Sequence, residues 1–86
     1  MRELAVLLKI LELKNLENKI SLFDNGEGNI VLIENKGNWI VFNKVEEVET
    51  NRIIHLTLNN ACIDILERID KSLVNDYLNL CNAIRR

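Results

Sequence analysis

The 86-residue sequence has no proline, three glycines, one histidine, two cysteines and only 5% aromatic residues. Each scarcity excludes something. Without proline no helix is obliged to kink, so breaks must come from other residues. A zinc site needs three or four converging N or S donors, yet His55 lies in a strand-like stretch and Cys62 and Cys81 are 19 positions apart in one helical region. No metal and no cofactor is therefore expected, and His55 reads as a structural or surface imidazole. With one histidine and no Gly-rich nucleophile elbow, Ser21, Thr50, Thr57 and Ser72 have no surrounding motif that would make a triad, so no enzymatic activity is expected. Gly26 and Gly28 lack the lysine and spacing of a P-loop or dinucleotide fingerprint and read as turn residues.

Long apolar runs are also missing. None approaches the roughly 20 residues that cross a bilayer. Arg2 and Glu3 lead into an apolar stretch broken by Lys9 and Glu12, which is not a signal peptide, so the expected compartment is the cytoplasm. In that compartment two thiols read as small buried hydrophobes. The net charge of −2 gives no concentrated positive patch, which argues against nucleic acid or an anionic membrane as partner.

What is present is aliphatic: 48% of the chain is apolar, so a core of Leu, Ile and Val is expected in a single domain spanning residues 1–86. Its centre is Asn29 to Leu56. Two apolar runs, Ile30 to Ile33 and Trp39 to Phe42, flank the polar segment Glu34 to Asn38, where Gly37 can supply the positive φ of a tight hairpin. Neither run alternates, so both faces of each strand should be covered, with the leucine-rich ends of the chain as the available covers.

Before this hairpin, Leu4, Leu7, Leu8 and Leu11 recur at helical spacing, predicting a helix over Arg2 to Asn18 that frays where Asn15 and Asn18 accumulate. Lys19 to Phe23 alternates, with Ile20 and Leu22 on one face and Ser21 on the other, as in a half-exposed edge strand. After the hairpin, Asn43 to Asn51 reads as two strand ends joined near Thr50-Asn51, followed by a fourth strand, Arg52 to Leu56. Thr57 caps a helix that runs to the end of the chain, either as one helix or with a bend around Asp70 to Leu73, and Arg85 and Arg86 suit its C-terminal dipole. The expected class is α+β, a small antiparallel sheet of three to four strands flanked by an N-terminal helix and a long or bent C-terminal helix.

Charge supplies the candidate site. From Ile20 to Arg52 six acids stand against three bases. Glu46, Glu47 and Glu49, supported by Asp24 and Glu27 from the neighbouring turn, read either as a solvated rim that blunts a sheet edge or as a negative surface matched to a basic protein. Trp39 reads as a core anchor or, alternatively, as a contact residue at that surface. The stripe Leu73, Tyr77, Leu80 and Ile84 could pair with a second copy to give a homodimer through the C-terminal helix.

Taken in order, the segments Leu7-Leu-Lys-Ile-Leu-Glu-Leu13, Ile20-Ser-Leu22, Asn38-Trp-Ile-Val-Phe42 and Leu56-Thr-Leu-Asn-Asn-Ala-Cys62 leading into Ile65-Leu-Glu-Arg-Ile69 resemble small immunity proteins of bacterial polymorphic-toxin and contact-dependent growth inhibition systems. The resemblance covers Leu4 to Ile69 and rests on hydrophobic spacing, Trp39 and Ala61-Cys62. The family pattern carries Glu-Arg-Gly after the tryptophan strand, where this chain has Lys44-Val-Glu-Glu-Val48, and the tail from Lys71 runs past the usual end. The resemblance implies a protein that binds a cognate toxin domain, commonly a nuclease, and blocks it. A phage- or plasmid-encoded inhibitor or antitoxin, or a self-associating adaptor module, would fit similar residues.

Overall fold

The computed structural model describes residues 2–24 and 26–84. Helix α1 (Arg2–Leu13) buries Val6, Leu7, Ile10 and Leu11, while Leu8 and Leu13 stay exposed. It ends sharply instead of fraying. Asn15 takes φ 57, its N–H reaches the Glu12 carbonyl at 3.1 Å, and the Leu16 N–H reaches the Leu11 carbonyl at 2.7 Å. That is a Schellman cap with asparagine in the left-handed position, followed by a short 3-10 turn, Glu17–Lys19.

Four strands follow, β1 (Ile20–Leu22), β2 (Ile30–Asn35), β3 (Asn38–Val45) and β4 (Val48–His55), in the order β1-β2-β3-β4. The expected hairpin is β2–β3, closed by Lys36 and Gly37 with φ 53 and 86. Two expectations about the sheet are corrected. The β3–β4 turn is Glu46-Glu47, between the paired Val45 and Val48, and not Thr50-Asn51. Those two residues lie inside β4, where the register shifts between Val41 and Asn43 and Asn51 has φ 56, making a bulge. Strand β1 pairs parallel to β2, so the sheet is mixed and only β2–β3–β4 is antiparallel.

A parallel pair normally needs a connection of about a dozen residues; here the connection is shorter, and Gly26 and Gly28 pack against Ser21 and Ile20 of β1. Ser21 Oγ accepts the Gly26 N–H at 2.8 Å, which explains why Ser21 is buried and not half-exposed. Gly28 lies so close to Ile20 that a Cβ would sit 2.4 Å from its backbone, so no larger residue fits.

Thr57 caps helix α2 (Leu58–Ile69), accepting the Asn60 N–H at 3.2 Å. Asp70 then breaks the helical region without any proline or glycine: its backbone is extended (φ −165) and its Oδ1 accepts the Ser72 N–H at 3.0 Å, opening α3 (Ser72–Ile84). Of the two readings of this region, the bent one is correct.

All three helices share one core with one face of the sheet, through Leu7, Leu11, Leu32, Val41, Ala61, Cys62, Ile65, Leu66 and Tyr77. The expectation that helices cover both faces is corrected. The opposite face carries a separate cluster of Val31, Ile40 and Phe42 with Ile33, all strand residues, and the Arg52 guanidinium lies 5.3 Å from the Phe42 ring centre. Leu73, Tyr77 and Cys81 are buried in the shared core and Leu80 packs against it, so most of the stripe expected to pair with a second copy is consumed within the monomer. Arg85 and Arg86 lie outside the described residues.

Candidate acidic site

The β1–β2 connection and the β3–β4 turn meet at one end of the sheet because β2 and β3 form a tight hairpin, which sets the start of β2 beside the end of β3. The Lys44 N–H bonds the Asn29 carbonyl at 2.7 Å across this junction. Between the two loops lies a polar cleft of about 320 Å³ lined by Asp24, Glu27, Glu46 and Glu47, with Lys44 as its one cation among the described residues and Gly26, Gly28 and Asn29 completing the wall. Four of the six residues expected to bind a partner therefore converge, from segments 20 residues apart in the chain.

Lys44 organises the cleft without neutralising it. Its Nζ lies 3.3 Å from an Asp24 oxygen and 3.6 Å from Glu47 Oε2. The hydrogen bond to Asp24 is the main cause of its raised pKa, so it stays protonated through the ordinary range. Four carboxylates against one ammonium leave a net negative pocket whose carboxylates face solvent.

The turn itself is held in an unfavourable backbone conformation. Glu46 and Glu47 have φ 50 and 70 at the two central positions of a two-residue hairpin. Asparagine and glycine are preferred there because a Cβ in the left-handed region crowds the following carbonyl. Two glutamates in that turn keep two charges at a cost in stability.

Glu49 and Trp39 are not brought into the cleft. Glu49 stands opposite Lys44 in the ladder but binds Arg52 at 3.0 Å, which offsets its charge. Trp39 is half-buried towards the other end of β3, packs on the main core, and its ring centre lies 6.5 Å from that of Phe23.

A polar network absent from the sequence reading joins α2 to β4. Asp64 takes Arg68 Nε at 2.8 Å and lies 2.7 Å from His55 Nε2. Arg68 also donates to the Asn51 carbonyl at 2.7 Å and to Asn43 Oδ1 at 3.0 Å, clamping the bulge. Burial pushes the Asp64 carboxyl up, but the hydrogen bonds from Arg68 and His55 outweigh it and hold the group below the usual range. The Asp64–Arg68 spacing of four was the available signal. The depression beside His55 and Asp64 is otherwise lined by Ile53, Asn60, Ile63 and Glu67, none of them a hydroxyl or thiol nucleophile. Among the described residues no group of His, Cys, Asp or Glu is placed to hold a metal ion, and no helix is long and apolar enough to cross a membrane.

No family model, no curated protein and no solved structure matches the chain.

Proposed function

We propose that this chain is a cytosolic immunity protein that neutralises a cognate bacterial toxin domain by stoichiometric binding through the acidic cleft. The observation that carries the reading is the convergence of Asp24, Glu27, Glu46 and Glu47 on one solvent-facing pocket, with the last two kept in a turn that disfavours glutamate. Stability alone would select other residues at those positions. A binding requirement for negative charge accounts for them.

The partner chemistry follows from the pocket. A toxin that acts on nucleic acid presents cationic side chains spaced for phosphates, and clustered carboxylates steer towards such a surface and occupy it in place of phosphate. Lys44 braces Asp24 and Glu47 from below, so part of the negative surface is positioned before the partner arrives. The test is inhibition of the toxin domain encoded beside this gene, assayed on its nucleic-acid substrate. Activity should fall linearly and vanish at a 1:1 ratio. Glu27→Lys with Glu46→Lys, both on exposed residues, should remove the inhibition. Full toxin activity in the presence of a large excess of the unaltered chain would refute the proposal.

A further inference from the structure

Strand β4 is an open edge of the sheet, with β3 on one side of it and no described strand on the other. Proteins blunt such edges with charged side chains, proline or bulges. Strand β4 contains no proline, its charges Glu49 and Arg52 pair with each other at 3.0 Å, and its bulge at Asn51 leaves the stretch from Arg52 to His55 in regular register with β3.

The ladder shows which backbone groups this stretch offers. The Lys44 N–H points to the β2 side, so by alternation Asn43, Val41 and Trp39 turn their backbone groups towards β4. Their partners Thr50, Ile53 and His55 are then committed to β3, and Arg52 and Ile54 direct their N–H and C=O groups outward. Two apolar rows also run out at this edge. Leu32, Val41 and Ile53 are aligned on the helix-covered face, and Ile33, Ile40 and Ile54 on the other. Exposure rises from 0% at Val41 to 46% at Ile53, and from 3% at Ile40 to 60% at Ile54. Leu56, just beyond, is 81% exposed.

We infer that the Arg52 to Leu56 edge pairs antiparallel with the same segment of a second copy, about a two-fold axis at Ile54. In this register Ile54 meets Ile54 of the copy with outward backbone groups on both sides, and the Ile33, Ile40, Ile54 row continues unbroken into its counterpart. Arg52 falls opposite Leu56 and His55 opposite Ile53, so no like charges face each other. The antiparallel direction also carries the two acidic turns to opposite ends of the joint sheet, whereas a parallel pairing would set them side by side. Facing residues in an antiparallel pair share a face of the sheet, so the helices of both copies stay on one side and both acidic clefts remain open. A segment this short buries less than the roughly 1,200 Å² of a standard interface, so the dimer forms in the micromolar range.

Sedimentation equilibrium from about 10 to 300 µM, a range that brackets such an affinity, tests this. The chain should move from its 10.0 kDa monomer mass towards twice that value. Ile54→Lys, on an exposed residue, should stay monomeric with an unchanged circular dichroism spectrum. Ile54→Cys should oxidise to a covalent dimer, because its Cα atoms would lie within disulfide reach, while Glu49→Cys should not. A monomer throughout the range, or a dimer that survives Ile54→Lys, overturns the inference. So does a monomer whose Ile54→Lys variant loses another protein, since the edge would then take a partner's strand.

Discussion

Replacing Glu46-Glu47 with Asn-Gly tests whether this turn gives up stability for charge. Both glutamates have positive φ, at 50 and 70. An L-residue in that region costs about 1 to 2 kcal/mol, and glycine returns roughly 0.5 to 1 of this through the greater freedom of its unfolded chain. The Lys44–Glu47 ion pair lost with the substitution is exposed to solvent and screened, so its loss does not change the sign of the effect. The net gain should be about 1 kcal/mol, which for a domain of this size raises Tm by about 4 to 8 °C. Scanning calorimetry and urea unfolding would measure it, and the toxin titration would show weaker inhibition by the same variant. An unchanged or lower Tm would refute the claim that the turn is strained. A higher Tm with undiminished inhibition would show that the charges serve something else.

Three further predictions concern the rest of the fold. Arg68→Met leaves the Asp64 carboxylate, the Asn51 carbonyl and Asn43 Oδ1 without their guanidinium donor, and should lower stability by about 2 to 3 kcal/mol in urea unfolding. Because the folded pKa of Asp64 lies below its unfolded value near ~3.9, its stabilisation is present above that pH and is lost as pH falls through the folded pKa. The urea midpoint should therefore drop more steeply below about pH 4 in the unaltered chain than in Asp64→Asn, and equal slopes would contradict this. Burial pushes the Cys62 thiol up to about 12, so alkylation at mild alkaline pH, followed by mass spectrometry, should spare it in the folded chain and label it in urea.

Much of the fold was legible because the deciding residues act locally. Gly37 marks the β2–β3 turn, Thr57 marks the start of α2, and the leucine spacing marks α1. The failures have two physical causes, residues in conformations that their type disfavours and contacts distant in sequence. Glu46-Glu47 does not read as a turn, since glutamate rarely takes a left-handed backbone, and so the sequence points to Thr50-Asn51 instead. The parallel pairing of β1 depends on Gly28 lying against Ile20, a contact that no periodicity reveals. Of the candidate site, the acidic bias of the middle segment is visible in the sequence, and the structure brings Asp24, Glu27, Glu46 and Glu47 to one cleft. Glu49 and Trp39 lie outside that cleft, which the sequence does not reveal because strand position alone says nothing of the Arg52 partner of one or the core packing of the other.

The central claim is that the cleft's negative charge holds the partner. Its most direct test is calorimetric titration of the neighbouring toxin domain with the unaltered chain and with a variant carrying Asp24→Lys, Glu27→Lys, Glu46→Lys and Glu47→Lys, its fold checked by circular dichroism. The account predicts 1:1 binding by the former and at least a roughly hundredfold loss of affinity in the latter, since close charge pairs at interfaces contribute more than a kcal/mol each. Equal affinity of the two proteins would contradict it.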